Sequence, residues 1–217
     1  MPRERRDFDR ITGVRDPSLI VIAMEGAETE PQYFNAVSKI ADESKSRLKL
    51  KILPKRENAV SAAKYVLEQM NDYKKEFGIK KTDELCLVID RDAQSLKEAN
   101  LADVARLCAD KQYLLALSNP CFELWLLLHH LDVSAESGAE KQSLLANKKQ
   151  FAKNKLRQVM GGYNPANLNL DDFWPQTRVA IERAKALDNS PKDRWPNDLG
   201  SRVYLIMDKV LNMLESD

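Results

Sequence analysis

The sequence predicts an α/β fold in which helices cover both faces of an open, parallel sheet. Residues 19–24 and 85–89 are uninterrupted apolar runs, a length and composition typical of strands buried on both faces. Strand-like and helix-like segments alternate over the first 130 residues, which implies right-handed crossovers between parallel strands. In such sheets the chemistry lies beyond the carboxyl ends of the strands.

The composition is typical of a soluble globular protein. The chain has 217 residues, 43% of them hydrophobic, enough for one soluble globular domain with a full core. No apolar run is long enough to span a membrane, and the charged first 16 residues lack the apolar segment of a secretory peptide. Cys86, Cys108 and Cys121 lie in apolar segments without a CxxC spacing. They are expected to be reduced thiols in a cytoplasmic protein.

The first half of the chain supplies two strands and two helices. After the first strand, a helix is predicted from about residue 29 to 43, with Pro31 in its first turn. Residues 48–53 alternate apolar and basic side chains, which is typical of a half-exposed edge strand. A long helix follows, capped by Asn58 and ended by Gly78. Its apolar residues recur with a helical period: Val60, Ala63, Leu67, Met70, Tyr73 and Phe77.

The second half begins with the strand at 85–89 and continues with a helix at 95–110 and a strand at 113–117. Ser118, Asn119 and Pro120 are predicted to form the capped start of a helix at 121–131, which is apolar nearly all round and therefore buried. We expect a single domain over 1–217, with a core at about 17–131, a helical insertion, extension or lid at 132–200, and a closing helix at 201–217.

Acidic residues follow both buried strands. Glu25 comes directly after the first, and Asp90 and Asp92 follow the second. If the strands are parallel, these side chains meet at one edge of the sheet, and alternate residues such as Asp90 and Asp92 can share one cation. Three clustered carboxylates need a counter-charge, which indicates Mg²⁺ or Mn²⁺. The alternative is that they are solvated strand ends.

Two further glutamates lie close by in sequence. Glu30 either joins the metal site or favours the amino terminus of its helix, where negative charge is stabilising. Glu123 is the one acid in an otherwise apolar helix, so it needs a cation, a metal or a hydrogen-bond donor. A buried arginine partner is the alternative.

Two polar residues near that helix are weaker candidates. His129 lies near the end of the helix, where a histidine is more often structural or solvent-facing than catalytic. Asn119, in the loop before the helix, is expected to border the site.

The charge distribution offers one basic segment. The net charge of +1 argues against a protein that coats nucleic acid by bulk charge. The net charge does not exclude a local basic surface. The best candidate is a cluster of five basic residues: Lys148, Lys149, Lys153, Lys155 and Arg157. A solvated helix face explains the same cluster.

Three motifs together resemble the RloB family. They are the segment 21–30 ending in Glu25-Gly26-Ala27-Glu28-Thr29-Glu30, the run 88–92, and the segment 118–125, Ser-Asn-Pro-Cys-Phe-Glu-Leu-Trp. More broadly, they resemble the Toprim fold of topoisomerases, bacterial primases and overcoming-lysogenization-defect nucleases. The matching segments are ordered along residues 19–130, and residues 201–205 look like the closing helix of the family.

The resemblance implies a Toprim-like, four-stranded parallel sheet with metal-dependent chemistry on phosphodiesters. Glu25 matches a glutamate that acts as general acid/base or metal ligand, and Asp90 and Asp92 match the metal-binding pair. It further implies a role in abortive infection by phage, with an AAA-type ATPase as partner.

The resulting hypothesis is a Mg²⁺-dependent nuclease acting on RNA, tRNA included, or on DNA. Glu25, Glu30 and Glu123 are the expected catalytic residues, while Lys55, Arg56 and the basic cluster would hold the phosphate backbone. The alternative is a non-catalytic sensor or adaptor that binds a metal or nucleotide within an ATPase complex. Nucleotidyl transfer, as in primases, is a third hypothesis. Oligomerisation is compatible with each.

Overall fold

The computed structural model of the chain describes residues 18–44, 46–55, 63–91 and 98–216. Five strands in these residues form one sheet: β1 (Ser18–Met24), β2 (Leu48–Ile52), β3 (Glu84–Asp90), β4 (Leu114–Asn119) and β5 (Gly200–Ser201). Their spatial order is β2-β1-β3-β4-β5. The first four strands are parallel, and β5 is antiparallel to β4. The α/β prediction is confirmed, but the sheet is mixed and has one strand more than predicted.

The helices of the described residues are α1 (Thr29–Glu43), α2 (Ala63–Glu76), α3 (Glu98–Lys111), α4 (Phe122–His130), α5 (Gly138–Ala146), α6 (Phe151–Met160), α7 (Thr177–Leu187) and α8 (Tyr204–Glu215). The bounds of α1 agree with the prediction. The predicted cap Asn58, and the predicted start of α3 near residue 95, lie outside the described residues. No helix in the described segments combines the length and apolar character needed to cross a membrane.

Strand β1 explains why helices cover both faces of the sheet. Ile20, Ile22 and Met24 point to one face and pack in the same core as α1 and α4. Val21 and Ala23 point to the other face and pack with α2 and α3. Because successive strand residues alternate between faces, an apolar run without polar interruptions is buried on both sides.

Helix α4 is buried all round, as predicted. Its Trp125 and Leu126 are fully inaccessible, because β4, α6 and α7 pack against the helix and Tyr33 of α1 contacts the Trp125 ring. Residues 132–200, predicted as a helical insertion or extension, contribute three helices whose bounds the sequence did not predict: α5, α6 and α7. Leu156 on α6 and Ile181 on α7 belong to the same core cluster as the sheet residues.

The start of α4 differs from the prediction. Ser118 and Asn119 are the last residues of β4, and Cys121 occupies the N-cap position without a side-chain cap hydrogen bond. The Asn119 amide instead donates to the backbone carbonyls of 196–198, at 2.8–3.3 Å. The closing helix likewise begins at Tyr204 rather than at residue 201, because 200 and 201 pair with β4.

A buried ion pair fixes the chain before β5. Arg202 contacts Asp188 at 2.9 Å, and the Tyr204 hydroxyl donates to the same carboxylate at 3.0 Å. Both charged side chains are more than nine-tenths buried. This network links the end of α7 to the start of α8.

Candidate active site

The carboxyl ends of β1 and β3 lie side by side. Met24 is in register with Val88, and the Glu25 N–H donates to the Val88 carbonyl at 3.1 Å. Glu25 and Asp90 therefore emerge on neighbouring strands at the same edge of the sheet. The apolar run in each strand ends here because its next residue carries a charge.

Two helices begin at this edge and bring further acids. Glu30 lies in the first turn of α1, and Glu123 lies in the first turn of α4. The charges of Glu25, Glu30 and Glu123 all raise the pKa of Asp90, so these carboxylates lie within electrostatic range of Asp90. We call Glu25, Glu30, Asp90 and Glu123 the carboxylate cluster.

The carboxyl of Asp90 is strongly perturbed. Burial raises the pKa of its carboxyl well above the ordinary value, and the nearby charges of Glu30 and Glu123 add to the effect. A hydrogen bond from the Phe122 backbone N–H acts in the opposite direction. Its Oδ1 atom is buried and accepts no hydrogen bond from the described residues. A buried carboxylate oxygen in this state is suited to binding a cation.

Glu30 is 8% exposed, and burial raises its pKa to about 7. The charges of Glu123 and Glu25 contribute in the same direction, whereas its own backbone N–H and Lys55 lower the pKa. Its carboxylate lies directly against Gly26, where any β-carbon would collide with it. A glycine at this position therefore allows Glu30 to fold back over the strand end.

The donor chemistry of the cluster fits a hard divalent cation, because all four groups are carboxylates. No three His, Cys, Asp or Glu side chains within the described ranges are arranged so that they could hold a metal ion. Asp92, the third predicted ligand, lies outside those ranges. The described acids therefore share this end of the sheet without forming a three-ligand metal site of their own.

Basic groups border the cluster on the side of β2. Lys55 follows β2 and its charge acts on Glu30, which places it beside the carboxylates. Arg56, predicted to act with it, lies outside the described residues.

The segment after α4 borders the cluster on the other side. The Asn147 amide, between α5 and α6, contacts the Cys121 sulfur at 3.5 Å, at the start of α4. Lys148 and Lys149 follow it and are exposed, whereas Lys153 is half-buried on α6. Lys155 is paired with Glu140 at 2.6 Å. Only part of the predicted basic cluster is therefore available near the site.

Tyr163 is a site residue that the sequence analysis did not identify. Its hydroxyl donates to Thr29 Oγ1 at 3.3 Å, beside Glu30. Burial raises the pKa of its phenol, and the charges of Glu123 and Glu30 add to this rise. The signal available in the sequence was the flanking turn chemistry, Gly161-Gly162 before it and Asn164-Pro165 after it.

His129 and Asn119 do not join the cluster. The His129 ring is 2% exposed, lies among Trp125 and Phe173, and its Nδ1 donates to the Trp125 carbonyl at 3.0 Å. Burial lowers its pKa to about 3, so it is neutral at physiological pH. The Asn119 amide is occupied by the 196–198 carbonyls. Both residues position neighbouring segments of the fold.

The three cysteines are free and buried, as predicted. Cys121 borders the cluster, and burial raises the pKa of its thiol well above the ordinary value, with Glu123 and Asp90 contributing. A thiol held neutral in this way is a poor nucleophile and a poor metal ligand.

Comparison with known proteins gives one match. The family model described as RloB-like protein matches residues 20–210, which include all of the sheet except the first two residues of β1 and all four members of the carboxylate cluster. Searches of the curated proteins and of the solved structures each found no significant match. The match covers most of the chain, and the resemblance predicted from its motifs is confirmed: the chain belongs to the RloB-like family.

Proposed function

We propose that the protein is a Mg²⁺-dependent nuclease whose active site is the carboxylate cluster. The observation that carries the proposal is the convergence of four carboxylates from β1, α1, β3 and α4, with the pKa of Asp90 and of Glu30 raised by burial and mutual repulsion. Such perturbed groups concentrate at functional sites. Membership of the RloB-like family and the resemblance to Toprim proteins support phosphodiester chemistry.

The metal ligands would be Asp90, Asp92 and Glu25, with Mn²⁺ as an alternative ion. When bound, the cation would supply charge stabilisation for a phosphate oxygen. Glu30 is suited to proton transfer, because a pKa of about 7 lets it hold or release a proton near neutral pH. Glu25 is the other candidate for that role, from its match to the Toprim glutamate.

Lys55, Arg56, Lys148, Lys149 and Lys153 would hold the phosphate backbone of RNA or DNA. Lys55 is supported by its effect on Glu30, and Lys148 and Lys149 by their exposure beside the start of α4. Such contacts position a nucleic acid without reading its sequence.

Control by an AAA-type ATPase partner in the cytoplasm, in the course of abortive infection, is part of the proposal. Its support is the family resemblance. A nuclease that is active only when its partner senses infection would spare the host until then.

The test is Mg²⁺-dependent cleavage of labelled tRNA, single-stranded RNA, single-stranded DNA and duplex DNA, by the chain alone and with a partner ATPase. Glu25→Gln and Asp90→Asn should each lower the cleavage rate by about 100-fold or more, because each removes a group that acts on the metal or the proton. Asp110→Asn is the matched control, since Asp110 is exposed at the far end of α3. The proposal fails if no substrate is cut, or if Asp90→Asn cuts as fast as the control.

A non-catalytic sensor or adaptor is the second candidate. The net charge of +1 favours it, because a nuclease that binds by charge alone would be more basic. This candidate predicts that Mg²⁺ raises the melting temperature of the chain through Asp90 although nothing is cut.

A further inference from the structure

We propose that Tyr163, together with Lys148 and Lys149, forms a binding site for single-stranded nucleic acid beside the carboxylate cluster. The inference rests on the proposed function and names its substrate class. We call residues 147–163, which run from the end of α5 through α6 to Tyr163, the α6 wall.

The α6 wall contacts the site at two points, and both are the starts of helices that carry acids. Asn147 contacts Cys121, two residues before Glu123. Tyr163 donates to Thr29, one residue before Glu30. The wall is therefore fixed to the two helix starts that complete the cluster.

The Asn147 turn holds its two lysines in a defined place. Asn147, Lys149 and Gln150 have φ angles of 43°, 54° and 58°, a left-handed conformation that non-glycine residues adopt at a cost. The Asn147 side chain stabilises the turn by accepting a hydrogen bond from the Ala152 N–H at 3.0 Å. Lys148 and Lys149 are exposed on it and are free to meet phosphates.

Tyr163 supplies an aromatic ring at the cluster. The side chain is half-buried: it packs against the hydrophobic core, and its hydroxyl reaches Thr29. The following loop is fixed to α1, because Gln32 donates to the Pro165 carbonyl and accepts from the Leu168 N–H, both at 2.8 Å. A ring held in this way can stack on a base without losing further conformational freedom.

The combination favours a single strand over a duplex. A protein that binds a duplex through about six to ten phosphates relies on many cations, whereas the contacts described above bring Lys55, Lys148 and Lys149 towards the cluster. Stacking on an aromatic ring strengthens binding by about 5- to 100-fold per base, and it requires a base whose face is free. An unpaired nucleotide meets this requirement, and a paired one does not.

The experiment measures binding in EDTA by fluorescence anisotropy, so that no cleavage can occur. The probes are labelled RNA and DNA single strands of about 15 nucleotides, and a duplex of the same DNA sequence. The wild-type chain should bind one or both single strands about 10-fold or more tightly than the duplex. Tyr163→Leu should weaken that binding by about 5- to 100-fold, whereas Tyr163→Phe, which keeps the ring, should stay within about 2-fold.

A second pair of variants tests the lysines. Lys148→Ala with Lys149→Ala should weaken binding. The slope of log affinity against log salt concentration should also become shallower, by an amount that corresponds to the loss of about one phosphate contact or more. Lys81→Ala with Lys111→Ala is the matched control, because both lysines are exposed before the amino ends of β3 and β4, at the opposite edge of the sheet. This control should bind like the wild type.

Three results would overturn the inference: a duplex bound as tightly as the single strands, a folded Tyr163→Leu variant that binds like the wild type, or equal losses in both lysine pairs. Melting temperatures establish folding, and if Tyr163→Leu is unfolded, Tyr163→Trp must bind at least as tightly as the wild type. Binding that depends on Tyr163 without any cleavage would contradict the proposed nuclease alone. Cleavage without such binding would contradict this inference alone.

Discussion

At the scale of single residues, two effects act in the same direction on the pKa of Asp90 and of Glu30. Burial and neighbouring carboxylates both raise their pKa. The sequence predicted that Glu25 and Asp90 would meet, because both follow buried parallel strands. It could not predict Tyr163, which lies more than 130 residues from its partner Thr29. Nor could it predict that the Asn119 amide would donate hydrogen bonds to the 196–198 carbonyls, since that contact depends on the tertiary fold.

Glu30 should make folding stability fall as pH rises. Its pKa is about 4.5 in the unfolded chain and about 7 in the folded one, so its contribution is fully present below 4.5 and is lost as pH rises through 7. In EDTA, the wild type should lose about 3 kcal/mol of unfolding free energy from this group between pH 5 and pH 8. Asp90 acts in the same direction.

Urea unfolding at the two pH values measures the effect. Glu30→Gln should be less sensitive to pH than the wild type, because its amide does not titrate. Glu182→Gln, at an exposed position on α7, is the control and should keep the wild-type pH dependence. Equal pH dependence in Glu30→Gln and the control would show that Glu30 is not held in a buried, repulsive site.

At the scale of elements, the predictions succeeded where a helix or strand carries its own signals. The Thr29-Glu30-Pro31 start defined α1, and the alternating lysines of 48–53 identified β2 as an edge strand, which is where it lies in the sheet. A helical insertion or extension was predicted here, but the bounds of α5, α6 and α7 were not, because these helices are short and largely polar, with few buried residues each. Helices α6 and α7 pack on α4, and α5 packs on α6, which no local pattern reveals.

The buried ion pair that links the end of α7 to the start of α8 yields a stability prediction. Arg202→Met leaves the buried Asp188 carboxylate without its ionic partner and should cost about 3–5 kcal/mol of unfolding free energy. Arg178→Met is the matched control, because Arg178 pairs with Glu215 at the surface, where about 1 kcal/mol or less is expected. Urea unfolding of both variants measures the difference. Equal losses would contradict a structural role for the buried pair.

At the scale of the whole molecule, one face of the sheet differs from the other. Helices α2 and α3 cover one face as a single layer, whereas α4 on the opposite face is itself covered by α6 and α7. The sequence predicted the sheet because buried strands carry their own apolar pattern. It could not predict β5, whose two residues Gly200 and Ser201 have no strand pattern and pair through the fixed position of the chain after Asp188. The segments next to α6, in the second layer, bring Asn147 and Tyr163 to the carboxylate cluster. Both residues lie in 132–200, the part of the fold that the sequence defined least.

The most direct test of the central claim, that the carboxylate cluster is a divalent metal site, is calorimetric titration of Mn²⁺ at pH 7 in buffers of different ionisation enthalpy. We predict saturable binding with proton release, because the metal displaces protons held by groups of raised pKa. Asp90→Asn should weaken the binding by about 100-fold or more, while Asp110→Asn should bind like the wild type. Absence of binding by the wild type, or equal affinity in Asp90→Asn, would contradict the account.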